Sequence, residues 1–380
     1  KVDFIAPSFE WPESTILNVT YNKSFESGID MTLSYLKSEE EEALYRIVDT
    51  GYPLLGDEPT VPTEKAPDGR PIYNQTQVRG YHAGLYNVCC ADREVFTASF
   101  SKGFREGDTF ITVAYTAQDH QNRSDMTSST SNSNFGKTGA VDYNNRMLGR
   151  STYETEHSLL ATLTSKHYFF GPNASTTFSL VFARESGNVK YPTFDTYTSR
   201  ASQYRERAFG YEFNLNDDSS SLLYIPTASD PLVCYSSGCS AEGSPAALAR
   251  ETEVLNHLYN VWGLSGYAGQ IAPRDAGNFP WQSSLDLNIV QEVPGFREDD
   301  KFVLTFALEN LLNFLDDGKG IVNYGYYSGR VDVIDLKIIE GERYDYSRNA
   351  FRYNFSDPFD IDRSTTQSLW RASLGFQYKF

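Results

Sequence analysis

The chain has 380 residues, with 33 Lys+Arg against 50 Asp+Glu and a formal net charge of −17. So acidic a balance argues against nucleic acid as a partner, because little basic surface is left to neutralise a row of phosphates. Hydrophobic residues make up 40 %, yet aromatics reach 14 %, with 26 Tyr and 25 Phe, which excludes a disordered acidic chain. The length fits two or three ordinary domains or one large β structure. No run approaches eighteen apolar residues, so no transmembrane helix is expected. The opening KVDFIAPSFEWPES lacks a basic region followed by an apolar run. A secretory signal has then been removed, or the numbering starts inside a longer chain.

Taken in chain order, the recurring signal is alternation at period two in segments of about ten residues. Leu17, Val19 and Tyr21 alternate with Asn18, Thr20 and Asn22, and Met31, Leu33 and Tyr35 alternate with Thr32 and Ser34. Phe96, Ala98 and Phe100 precede a turn at 103–108, and Ile111, Val113 and Tyr115 follow it. Leu159, Ala161 and Leu163 run to Gly171-Pro172-Asn173, after which Phe178, Leu180 and Phe182 alternate with Thr177, Ser179 and Val181. Leu285, Leu287 and Ile289 run to Pro294-Gly295, followed by Phe302, Leu304, Phe306 and Leu308. The last segment places Trp370, Ala372, Leu374, Phe376, Tyr378 and Phe380 on one face, with Arg371, Ser373, Gly375, Gln377 and Lys379 on the other. Weaker segments near 80–91, 328–338 and 343–354 bring the expected total to about eleven strands.

The connections are lopsided. Those near 26–28, 103–108, 171–175 and 294–300 are short, whereas those near 40–80, 124–150, 184–282 and 313–327 are long and polar. Short turns at one end and long loops at the other is the layout of an outer-membrane barrel. The longest connection predicts a helix, with Ser244 as cap, Pro245 in the first turn, Val254, Leu255, Leu258 and Val261 on one face, and Gly263 as stop. The four cysteines fall as Cys89–Cys90 and Cys234–Cys239, neither with zinc spacing. CYSSGC can close a small disulfide loop in an oxidising compartment, or stay reduced. Cys89 and Cys90 would point to opposite faces of a strand and are read as two small apolar residues.

Several stretches resemble, in sequence order, the barrel of the Oar-like TonB-dependent outer-membrane receptors. They are APDGRPIYN (66–74), ITVAYTAQD (111–119), TYETEH (152–157), FFGPNASTTFSLVF (169–182), LLYIPT (222–227), GQIAPRDAGNFPW (269–281), SSLDLNIVQEVPGF (283–296), FALENLLN (306–313) and SLWRASLGFQYKF (368–380). The resemblance implies an all-β fold: an antiparallel transmembrane β-barrel, of which residues 1–380 form the C-terminal half of 22 strands with long extracellular loops. The plug and N-terminal domain of that family are not found in this numbering. It further implies a bacterial outer-membrane location and a non-enzymatic transporter or receptor that binds ligand on its loops. The partners implied are outer-membrane lipid and lipopolysaccharide, the TonB–ExbB–ExbD system acting through a plug, and the barrel-assembly machinery. That machinery would read the terminal strand with Trp370, Leu374, Phe376, Tyr378 and Phe380. The competing reading is a surface, structural or export-associated barrel component without active uptake.

Chemistry-bearing constellations are sparse. His82, His120, His157, His167 and His257 show no metal-ligand spacing, and no phosphate loop or nucleophile elbow occurs. No cofactor is expected. Asp357, Asp360 and Asp362 form the best calcium candidate, without the helical-hand spacing. The run Glu39–Glu42 and the pairs Asp217–Asp218, Asp299–Asp300 and Asp316–Asp317 read as solvated turn or loop residues. Tyr191, Phe194, Tyr197, Tyr204, Tyr324, Tyr326 and Tyr327 are either stacking surfaces for a ligand or parts of an aromatic girdle. Ligand recognition is expected in the 184–282 connection, at Tyr191, Tyr204, Arg205, Arg207 and Tyr211. The Cys234–Cys239 loop and the helix would preorganise it. Arg274 and Asp275 are expected as a buried pair or wall contact where that connection returns to the sheet at Ser283.

Overall fold

A computed structural model describes residues 2–48, 64–72, 82–126, 128–136, 138–195, 221–297, 300–324, 330–335, 337–339, 343–346 and 362–380, together with Pro62. Its dominant feature is one sheet in which nine strands pair in sequence order, each antiparallel to the next. They are β1 (Ser14–Ser24), β2 (Ile29–Val48), β3 (His82–Phe104), β4 (Thr109–Asn122), β5 (His157–His167), β6 (Thr176–Glu185), β7 (Gln282–Pro294), β8 (Lys301–Glu309) and β9 (Arg371–Lys379). Two short pieces complete the eleven strands of this sheet: Val2–Ile5, parallel to β3, and Gly149–Arg150, beside β4. The nine segments with clear alternation are these nine strands. Among the described residues the sheet does not close, and β1 and β9 are its two edges.

Directly paired residues in a sheet share a face, so the register tests the alternation. Val19 opposes Tyr35, which opposes Phe96, then Ala117. Phe100 opposes Val113, which opposes Ala161, then Phe182, then Leu285. Ile289 opposes Phe306, which opposes Leu374. Every apolar row read from the sequence thus falls on the same face, forming one belt across all nine strands. The reverse face carries Asn18, Thr20, Thr32, Ser34, Thr97, Ser99, Thr112, Thr116, Thr162, Ser179, Asn288, Thr305, Ser373 and Gln377 by the same pairing. Hydroxyl pairs bridge that face, Thr97 with Thr116 at 3.2 Å and Thr20 with Ser34 at 3.4 Å.

The main apolar core lies elsewhere. It is built from the long connections, around Phe135, Tyr143, Leu223, Ile225, Val233, Tyr235, Val254, Leu258, Trp262, Val333, Tyr344 and Tyr346. These four connections (β2–β3, β4–β5, β6–β7 and β8–β9) all leave the same end of the sheet and pack into a cap. The turns at the opposite end are short. The tightest, between β1 and β2, is closed by Phe25 N–H donating to the Ile29 carbonyl at 2.8 Å, with Gly28 at φ 75°. Only glycine takes that left-handed backbone without steric cost.

The structure corrects the strand count in three places. The 80–91 segment is the beginning of β3, which runs unbroken for 23 residues. Arg330–Asp335 pairs in parallel with Val189–Asp195 in the cap. Lys337–Ile339 and Arg343–Asp345 pair with each other there, and Arg343–Asp345 also pairs with Val233–Cys234. Val333, Tyr344 and Asp345 of these segments are buried in the cap.

The cysteine expectation fails for a local reason. The β2–β3 register shifts at Glu40/Glu42, so Glu41 alone opposes Cys89 and Cys90 in a β-bulge. A bulge suspends the alternation that would send adjacent side chains to opposite faces, and the two sulfurs are joined as a vicinal disulfide. The same register places Glu39–Glu42 inside β2 rather than in a loop. Glu42 is no solvated loop base: its carboxylate accepts the backbone N–H groups of Arg123 at 2.9 Å and Ser124 at 3.4 Å.

Candidate functional site

The cap is the candidate site, and buried arginines hold it to the sheet. Arg274, 4 % exposed, donates to the side chain and backbone carbonyl oxygens of Asn122 at the end of β4, and to the Gly149 carbonyl at 3.0 Å. Its expected wall contact is real, but Asp275 is not the partner. Asp275 is exposed. Next to it Arg150 pairs with Glu154 at 2.6 Å and Glu156 at 3.2 Å, and donates to Asn278 Oδ1 at 2.7 Å. Asn278 returns a hydrogen bond to Glu156 at 2.9 Å. Deeper in the cap Arg70 forms a buried ion pair with Asp68 at 2.7 Å and donates to the Leu222 carbonyl at 2.7 Å. A buried pair of this kind is tolerable only because hydrogen bonds complete its shell.

The backbone of GQIAPRDAGNFPW stitches the longest connection to itself. Gln270–Ile271 pairs with Tyr224–Ile225, the Ala272 N–H donates to the Leu223 carbonyl, and Gly277–Asn278 pairs with Val189–Lys190. Asn310, at φ 53°, does similar work below: its amide donates to the carbonyls of Gly320 and Ser368, both at 2.8 Å. APDGR, TYETEH, LLYIPT, GQIAPRDAGNFPW and FALENLLN therefore all supply groups that fasten cap to cap or cap to sheet.

The predicted helix is present as Pro245–Asn256, with the Ser244 hydroxyl accepting the Ala247 N–H, and continues as a π-turn over His257–Val261 before Gly263. Val254 and Leu258 are fully buried. The Cys234–Cys239 disulfide is formed. Its loop is held by Glu242, which accepts the Tyr235 and Ser236 N–H groups at 2.9 Å, and by Asp345, which accepts the Gly238 N–H at 3.0 Å. Burial alone pushes the Lys190 ammonium down to about 8 and the His257 imidazole down to about 4. The Lys190 Nζ lies 5.0 Å from the centre of the Trp262 ring.

Of the predicted ligand contacts, Tyr191 is completely buried, with its hydroxyl accepting the Gly139 N–H at 3.0 Å, so it is a core residue and not a stacking surface. Tyr204, Arg205, Arg207 and Tyr211 lie outside the described residues, as do Tyr197, Tyr326, Tyr327, Asp217, Asp218, Asp299, Asp357 and Asp360. Asp362 belongs to a two-residue strand paired with Asn323–Tyr324. Among the described residues no group of three or more His, Cys, Asp or Glu side chains is placed to hold a metal ion. Asp316 is the expected turn carboxylate, accepting the Gly318 N–H at 3.0 Å and pairing with Lys319 at 3.3 Å. Asp300 instead is buried and accepts the Tyr378 hydroxyl.

Where belt meets cap, four side chains from neighbouring strands stack in a row that sequence reading missed. His157 lies between Tyr115 and Trp281, with ring centres 6.0 and 5.9 Å away, and the Arg184 guanidinium lies 5.3 Å from the Trp281 ring. At the opposite border Leu374, Phe376 and Phe380 are 86, 67 and 98 % exposed, while Tyr378 packs on Phe302 with ring centres 4.8 Å apart. Trp370 precedes β9 and meets Phe314 edge to face at 5.2 Å. Compared with known families and curated proteins, the chain matches no family model and no curated protein.

Proposed function

We propose that this chain is the barrel wall and extracellular cap of an outer-membrane TonB-dependent transporter or receptor. The observation that carries the membrane half of this reading is the belt. It runs across nine strands with no cover from the described residues, leaving Leu17, Val19, Tyr21, Phe96, Phe100, Leu304 and Leu374 more than a third exposed. Water would make such a surface a liability, whereas lipid would match it. Its borders are charged. On β3 it is bounded by Glu94, paired with Lys37 at 3.3 Å, and by Lys102, eight residues further on. That is about 26 Å along the strand at ~3.3 Å per residue.

The lower border is also staggered. Lys23 on β1 is level with Phe100 on β3 through Met31, so Lys102 lies two residues closer to the turns. Two residues per two strand spacings correspond to strands tilted about 35° to the border. This is the tilt at which strands cross a membrane as a barrel. The two open edges, β1 and β9, require further strands to seal them in lipid.

The transport half rests on the sequence resemblance, and the cap supplies the outward surface on which a ligand would first bind. Its packed core and disulfide also suit the alternative, a fixed surface component without uptake. The deciding experiment measures accumulation in intact cells with and without a functional TonB system. Uptake that stops when TonB is lost supports the transporter; uptake that persists, or its absence despite ligand binding, refutes it.

A further inference from the structure

We propose that the turn-side border of the belt is a binding collar for anionic phospholipid headgroups, built from a repeated lysine–aromatic pair. The inference rests on the membrane reading above. Three strands that run towards the short turns end on the same pattern, Lys-x-aromatic: Lys23 and Phe25 after β1, Lys102 and Phe104 on β3, Lys166 and Tyr168 after β5. In each, the ammonium sits over its own ring, 5.2, 5.1 and 5.3 Å from the centre. The three rings are 39, 41 and 45 % exposed.

Lys23 and Lys102 occupy the register of the apolar face itself, opposite Met31 and Ile111. Lys166 lies one residue out of that register, opposite Thr177, and so on the reverse face at the rim, where it belongs to the same sequence pattern but not to the belt side of the collar. Among the described residues, none of the three ammonium groups has a carboxylate within 4.0 Å, whereas Lys37, Lys301 and Lys319 each do. The strands carrying them alternate with upgoing ones, so the pairs recur every two strand spacings, about 12–14 Å along the staggered rim.

The chemistry fits one kind of occupant. An ammonium held over a ring keeps a cation at the edge of an apolar surface, and still has N–H donors for a phosphate oxygen. The ring and belt below take the acyl chain, while the phosphodiester and an anionic head meet the lysine. The other border has the opposite character: Glu39, Asp92, Glu94 and Asp119 stand there with Lys37 on adjoining strands. Over β1–β4 the belt face thus runs from acidic at the cap to basic at the turns. Anionic lipid is drawn to the turn-side leaflet and not to both.

The test reconstitutes the complete protein in vesicles and measures spin-labelled phosphatidylglycerol against spin-labelled phosphatidylcholine for association with it. Wild type should prefer the anionic lipid by about fivefold for each lysine–headgroup pair at low salt. The K23Q/K102Q variant should bring the ratio close to one, K23R/K102R should keep it, and K166Q alone should leave it unchanged. Equal association in wild type, or a K23Q/K102Q variant with the wild-type ratio, overturns the collar while leaving the membrane reading intact. A ratio abolished by inorganic phosphate at constant ionic strength also overturns it, because the site then takes free phosphate. If neither lipid is immobilised by the protein, the lipid-spanning reading fails and the collar with it.

Discussion

Arg274 shows how much of the cap depends on single side chains. Three of its contacts end on Asn122 and Gly149, and two of those acceptors are backbone carbonyls that would otherwise be left buried at the foot of the β4–β5 connection. Hydrogen bonds to a charged group contribute roughly 1.5–3 kcal/mol each way they are lost. Arg274→Met should therefore lower cap stability by about 3 kcal/mol, read as a shift in the denaturant midpoint of Trp262 fluorescence. Asp275→Asn, at the exposed neighbour, should change it by less than about 0.5 kcal/mol. His257 gives a pH signature. Its folded value is about 4 against 6.5 in the open chain, so the unfolded state binds more protons between those values. Stability is then full above pH 6.5 and is lost as pH falls towards 4, by on the order of 3 kcal/mol. His257→Gln should flatten that slope. A slope unchanged by the substitution would assign it to other groups.

At the scale of the strand, the decisive variable is which face a residue occupies. Phe100 opposes Val113 on the belt, while its neighbour Ser99 opposes Ala114 on the hydroxyl-lined face. Arginine on a lipid face costs roughly 2–4 kcal/mol at the midplane. Phe100→Arg should therefore reduce the yield of heat-modifiable protein in vesicles sharply, and Ser99→Arg should not. Equal losses would mean that the belt does not face lipid. This face was legible from sequence because strand alternation has a period of two and needs no tertiary information. Leu17, Phe100 and Leu374 declare their side locally. Elements that fold against the cap do not. Tyr191 looked like a ligand platform because an aromatic in a long polar connection reads as exposed, and only the approach of Gly139 and Leu222 buries it. The bulge at Cys89–Cys90 was hidden for a related reason, since it exists only relative to Glu41 on the partner strand. The resembling motifs were visible, yet the contacts of Asp68, Glu154, Arg274 and Asn310 make them fasteners rather than ligand contacts.

The molecule as a whole has two stabilising systems of different kind. The sheet places its apolar residues on one face that the described residues leave uncovered, and its cohesion comes from strand pairing. The cap has an ordinary core of its own, closed by the Pro245–Asn256 helix, the Cys234–Cys239 loop and the Asp68–Arg70 pair. Residues 230–262 contribute Val233, Tyr235, Ala247, Val254, Leu258 and Trp262 to that core, so they are its structural interior as well as part of any outward surface. Two systems that share few apolar contacts should lose structure separately. Trp262 is 8 % exposed within the cap, and Trp11, Trp281 and Trp370 complete the four tryptophans of the chain. With those three changed to Phe, Trp262 fluorescence reports the cap alone, and slowed migration on unheated gels reports the sheet. Rising urea should shift the Trp262 signal first, while the unheated band keeps its mobility. Reduction of Cys234–Cys239 should widen the gap by moving only the first transition, because the disulfide constrains only the cap's own open state. Coincident transitions would make cap and sheet one cooperative unit, in which the buried arginines transmit the stability of each to the other.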